Sequence, residues 1–228
     1  MEPLTFGRVQ ITVPDLNEPG LYLSRVQSLE ADHSTIQDFR YADTELRALD
    51  LANTQLITGL ITNLNAARVQ LQAVNLHAVE VDTCDLGTAR WTDSKLTRAA
   101  FRNCKIMGAV LDGLTLDEVL FEKCKLDYTA FTKVRATGPV VFSGCSLAEA
   151  SFTGCDLADV VVRDCTLRGT EFNPGRYQRL DLRDNDLSSV RGVASLGRVL
   201  IDRAQQVELG QALTAELEVT YGNDLGTP

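Results

Sequence analysis

Six cysteines and two histidines are the residues of this chain whose types invite metal or redox chemistry: Cys84, Cys104, Cys124, Cys145, Cys155, Cys165, His33 and His77. Thiolate and imidazole are the usual ligands of tetrahedral zinc, and neighbouring thiols are the raw material of disulfides. The cysteine spacing is regular. Cys84, Cys104 and Cys124 are 20 residues apart, and Cys145 and Cys165 continue that series after one step of 21. Cys155 stands ten residues from each of its neighbours. No Gly-rich phosphate loop, GxSxG elbow or HExxH motif accompanies them.

The same interval governs the elements that must position these thiols. From Ile36, every fifth residue to Phe131 is large and apolar in nineteen of twenty cases, with Ala66 the exception. The frame slips by one across the stretch VRATGPVV and resumes at Phe142, running through Leu147, Phe152, Leu157, Val162, Leu167, Phe172, Tyr177, Leu182 and Leu187. A period of five fits neither an α-helix nor a flat strand. It fits a short extended piece followed by a turn. Two residues before each centre the chain is mostly small (Ala89, Ser94, Ala99, Cys104, Ala109), as a second inward position in a narrow interior requires. Residues after the centres are largely polar or Gly, as corners need.

This pattern resembles the pentapeptide-repeat family, whose loose consensus is small-Asp/Asn-Leu/Phe-any-any. Cys84-Asp85-Leu86 and Cys155-Asp156-Leu157 match it closely, whereas Lys95, Lys105, Lys125 and Val161 stand where the consensus has Asp or Asn. The resemblance implies an all-β solenoid: a right-handed quadrilateral β-helix with four repeats, or 20 residues, per coil. It covers residues 36–190, with the slip near 132–141. Residues 1–35 read as an irregular N-terminal cap. Phe6, Ile11, Leu16, Leu21, Val26 and Ala31 share the frame arithmetically, but Pro14 and Pro19 fall at inward positions, with a loop near Pro14–Gly20. Residues 191–228 read as a C-terminal cap with a strand at Val199–Ile201, an Asp202 helix cap, a helix near 204–218 and a frayed tail. Val207, Gly210, Leu213 and Leu217 form the expected inner face of that helix. This end resembles the cap of actinobacterial-type members, in some of which it makes a homodimer.

With 20 residues per coil, five cysteines stack in one column about 4.8 Å apart, and Cys155 faces them from the opposite side. That spacing admits a bridge under oxidation. The competing reading is packing: free Cys behaves as a small hydrophobe, a single line of thiols offers no tetrahedral cage, and no histidine lies nearby. Packing is the better account, so no metal and no cofactor are expected. The same arithmetic stacks Phe101, Phe121 and Phe142 in one column and Phe131, Phe152 and Phe172 in another; Trp91 calls for a locally widened coil.

Charge and composition narrow the function. The chain has 31 Asp and Glu against 22 Lys and Arg, and its net charge of −9 argues against direct contact with nucleic acid or an anionic membrane. No apolar run is long enough to span a bilayer, and the N-terminus lacks a secretory signal, so a cytoplasmic protein with reduced thiols is expected. His33 and His77 occupy outward or corner positions of different coils, and no catalytic set is recognisable. Two non-catalytic functions remain. The family resemblance implies a DNA-mimicking rod that binds a type II topoisomerase, DNA gyrase or topoisomerase IV, and protects it from inhibitors, an antibiotic-resistance function. About 40 Å of DNA carries roughly two dozen charges, whereas residues 81–135 hold nine basic against eight acidic residues. The alternative is an interaction scaffold. The residue before each centre points outward, and Leu60, Ala100, Leu120, Val141 and Val161 make an apolar strip on one face, a partner-contact candidate.

Overall fold

The computed structural model describes residues 3–16, 18–30 and 35–220. The five-residue units form a parallel β-solenoid in which each strand pairs with the one a coil further along. One sheet stacks, in chain order, Thr35–Leu46, Gln55–Ala66, Asn75–Asp82, Lys95–Arg102, Thr115–Glu122, Val140–Ser143 and Val161–Arg163. On the opposite side seven strands, from Leu49–Ala52 to Glu171–Phe172, count seven successive turns. Register follows the 20-residue interval: Leu56 pairs with Leu76, Leu76 with Leu96, and Leu96 with Leu116.

Corners arise from backbone conformation. The residue two past a centre adopts a left-handed φ, 48° at Thr58, 53° at Asn103 and 62° at Asp159. Asp and Asn tolerate that region better than most L-residues, which is why they recur there. The frame slip is one inserted residue. Leu116 still pairs with Ala136, but Val119 pairs with Val140, so Thr137–Gly138–Pro139 replace a two-residue corner. A Cβ at Gly138 would meet the carboxylate of Asp117, so any larger residue at this bulge makes that side chain shift.

The interior is a narrow apolar column. The expected aromatic ladders form, with Phe101–Phe121 and Phe121–Phe142 centroids 5.0 and 4.9 Å apart, and Phe131–Phe152 and Phe152–Phe172 4.5 and 5.4 Å apart. Near-parallel rings at these distances add about 0.5–1.5 kcal/mol per pair beyond burial. Trp91 turns its edge to Phe101, its Nε1 is buried without a partner, and a small apolar cavity of about 40 Å³ lies among Trp91, Leu51, Leu56 and Leu71. In the first coil Phe39 fills an inward position that is usually small. It fits because Gly59, its pairing partner, leaves room for the ring.

Both ends depart from the repeat. After Leu187 the chain makes isolated bridges from Arg191 to Glu171 and from Leu200 to Asp181, a 3-10 turn at Val193–Ser195, and helix α1 (Gln205–Glu216). α1 buries Gln205 and Ala212 and packs Leu209 and Leu213 on the core. Of the expected inner face only Leu213 points inward; Val207 and Leu217 are 67% and 65% exposed. Asp202 makes no side-chain cap; instead its N–H donates to Gln205 Oε1.

The polar side of α1 replaces the missing next coil. Gln205 Nε2 donates to the carbonyls of Leu182 and Asn185, while Glu208 and Glu216 accept from the N–H groups of Leu187 and Val193. At the start of the chain, β1 (Leu4–Phe6) and β2 (Val9–Ile11) form an antiparallel hairpin, closed by the two-residue loop Gly7-Arg8. This hairpin does not sit on the first coil. Ser24–Arg25 pairs there with Phe39–Arg40, and Leu29, 2% exposed, joins the core cluster beside the first strands.

Candidate functional site

The thiols are scaffold. All six cysteines are free and buried, and each Sγ donates to main-chain carbonyls, Cys104 to Val81 and Arg102, and Cys155 to Phe131 and Thr153. Contact with the Cys124 thiol, followed by burial, pushes Cys104 up to about 12. Burial likewise raises Cys155. Such thiols are poor nucleophiles and poor ligands. Among the described residues no three His, Cys, Asp or Glu side chains are placed to hold a metal ion. His77 is exposed, and His33 lies outside the described residues.

The apolar strip is real but not open, which corrects the expected surface. Ala100, Leu120 and Val141 are fully buried, Val161 is 4% exposed, and Leu60 is half-buried. Four of them form a second hydrophobic cluster with Ile11, against which Phe6, Val9 and Val13 pack. The N-terminal hairpin therefore lies across the strip. The signal for this stands in LTFGRVQITV, where apolar and polar residues alternate on both sides of Gly7-Arg8. Alternation flanking a two-residue Gly-containing loop is a hairpin signature; the five-residue spacing of Phe6 and Ile11 obscured it.

Outside the strip, charges are arranged in pairs between successive coils. Arg102 bridges Glu80 and Glu122, Arg98 meets Glu118 at 3.2 Å, Lys105 meets Asp85 at 3.3 Å, Arg176 meets Asp156 at 2.9 Å, and Arg179 meets Asp159 at 2.6 Å. Residues 35–200 contain 21 acidic and 19 basic side chains, so most of the net charge of −9 resides in the two terminal segments. Around the hairpin loop, an open cleft of about 440 Å³ separates Arg8 and Gln10 from Thr137, Pro139, Asp159 and Arg176. Its charged groups are the ion-paired ones just named together with Arg8. They form no nucleophile–base arrangement.

Comparison with known proteins places this geometry. A model described as the pentapeptide repeat region matches residues 114–191. No curated protein matches the chain. Among solved structures, full-length QnrB1, described as a plasmid-mediated fluoroquinolone resistance protein, is similar at 17% identity and a TM-score of 0.44, over 83% of this chain and 94% of that one. HetL, a pentapeptide repeat protein involved in heterocyst differentiation regulation from the cyanobacterium Nostoc sp. strain PCC 7120, is similar at 15% identity and a TM-score of 0.23, over 76% of this chain and 89% of that one. Residues 114–191 are thus a pentapeptide-repeat region.

Proposed function

We propose that this protein is a non-catalytic, protein-binding β-solenoid that works in the cytoplasm. The observation that carries the reading is the surface of the coils, where ladders of outward side chains pair acid with base from one turn to the next. A nearly neutral, zwitterionic face of this kind supports contact with a particular protein surface over imitation of a uniform polyanion. DNA presents roughly one charge per 1.7 Å of axis, and 21 acidic against 19 basic residues leave the coils far short of that density. The six free thiols fit a reducing compartment, and no helix among the described residues is long and apolar enough to cross a membrane.

A type II topoisomerase remains the concrete partner to test, because the family resemblance names it. The experiment is a gyrase supercoiling assay with purified protein, with and without a fluoroquinolone, at two salt concentrations. Inhibition or drug protection that changes little with salt supports binding through a paired-charge surface. An effect that collapses with salt restores DNA mimicry. No effect at micromolar protein removes gyrase as the partner.

The C-terminal end supports self-association as a second contact. Val207 on α1 and Leu217 and Val219 just beyond it are exposed. Leu217→Asp is expected to lower the apparent mass in light scattering if a second copy docks there.

A further inference from the structure

We propose that the strip formed by Ala100, Leu120, Val141 and Val161 is a hairpin-docking site that also works between chains, so that two copies exchange their N-terminal hairpins. The inference goes beyond the protein-binding reading and stands without it. The hairpin meets the solenoid through side chains. Ile11 is fully buried against the strip, Phe6, Val9 and Val13 are partly buried, and no main-chain hydrogen bond joins residues 3–13 to the coils among the described residues. β1 and β2 pair with each other and with no strand of the coils, so the hairpin leaves or arrives as a unit.

The connection is suited to exchange. Pro19 and Gly20, the latter at φ 93°, stand near the start of a segment that is mostly exposed from Glu18 to Arg25, with Tyr22 83% exposed. Beyond it, the solenoid begins with its own pairing of Ser24–Arg25 to Phe39–Arg40, independent of where the hairpin lies.

The second copy is the occupant that these residues fit. A released strip is an apolar surface running over four successive coils, and the one shape known to fill it is this hairpin, with the Arg8 loop turned toward Asp159 and Asp181. A hairpin from another chain makes the same contacts. Exchange therefore needs no new interface and costs only the entropy of association, which is why swapping is an accessible route to dimers. Tethering favours the intramolecular arrangement at low concentration, so the exchanged form must grow as protein is concentrated.

Val9 and Val161 line the same small recess and give the test. Two full-length chains are prepared, one carrying Val9→Cys and the other Val161→Cys, both with Leu217→Asp so that contact through α1 does not contribute. They are mixed, concentrated, and treated with a short bis-maleimide. Exchange predicts a covalent heterodimer whose yield rises with concentration and which is absent when the Val9→Cys chain is replaced by wild type. A single chain carrying both cysteines must close internally. Internal closure without heterodimer at any concentration overturns exchange, and failure of internal closure overturns the docking itself. Neither result bears on whether the coils bind gyrase or another protein, which the supercoiling assay reads separately.

Discussion

At the scale of single residues, the interior tolerates departures from its small-large alternation only where a neighbour yields. Phe39 and Gly59 are the sharpest case, because a Cβ on Gly59 would overlap the Phe39 ring. Gly59→Ala is therefore expected to destabilise by about 1–3 kcal/mol, the usual cost of overpacking. Chemical denaturation is the measurement. Combined with Phe39→Leu, the loss should shrink, and a purely additive double mutant would show that the two sites do not share the space. The cysteine column makes a second prediction of a different kind. With its thiol buried and held near 12, Cys104 has a negligible thiolate fraction at neutral pH. All six thiols are buried, so a thiol reagent added to folded protein should titrate almost none of them, and all of them after denaturation; Cys165, whose thiol the contact with Cys145 lowers, should be the first to react if any does. Cys104→Ala should leave the fold intact, whereas Phe121→Ala, in the middle of its ring ladder, should cost about 3–5 kcal/mol.

Elements differ in how much of them could be read in advance, and the reason is periodicity. The coils repeat one physical solution, so centre, inward small residue and corner each recur every five positions. Even the slip announced itself, since Gly138-Pro139 falls where one residue is inserted. The ends repeat nothing. The orientation of α1 is set by Gln205, Glu208 and Glu216, which bond to backbone groups of the last coil, and not by an apolar stripe. A hydrophobic pattern cannot reveal a face selected by hydrogen bonding, so Val207 and Leu217, apolar at inner-face spacing, lie exposed. The strip was recognised as apolar, but its cover came from a segment more than 80 residues away in sequence.

Two tests belong at this scale. Gln205→Ala leaves the buried carbonyls of Leu182 and Asn185 without this donor, and about 1–3 kcal/mol of stability should be lost. Acid acts around the hairpin loop. The Arg179 hydrogen bond holds the Asp159 carboxyl below its ordinary value; at Asp181 burial opposes ionisation, but Arg183 outweighs it and the carboxyl is also lowered. Arg8 faces both carboxylates. Because the folded-state values are depressed, this stabilisation is present above the ordinary Asp value of 3.8 and is lost as pH falls through the lower folded values. Stability followed from about pH 6 to about pH 2 should drop mainly below 4. Arg183→Gln should flatten that part of the curve.

For the whole molecule, stability is approximately a sum of terms between neighbouring coils, and the coils are not equally supported. Coils in the middle carry the ring ladders, the thiol column and, on one face, the hairpin lying over Ala100, Leu120, Val141 and Val161. The C-terminal coil is closed by three side chains of α1 that stand in for a missing strand. The opening coil has less: a two-residue strand pairs with Phe39–Arg40, Leu29 joins the core there, and the apolar cavity beside Trp91 lies toward that end. Local opening should therefore begin at the N-terminal coils and spread along the axis. Amide exchange is expected to show lowest protection in Thr35–Leu46 and Leu49–Ala52, rising to a plateau from Lys95–Arg102 through Val161–Arg163. Deleting residues 1–13 should lower the plateau around Leu120 and Val141 and leave Thr35–Leu46 unchanged, because the hairpin touches only the later coils. Uniform protection along the chain would mean that the coils open together, and a loss confined to the first strands after deletion would mean that the hairpin supports the end instead of the flank.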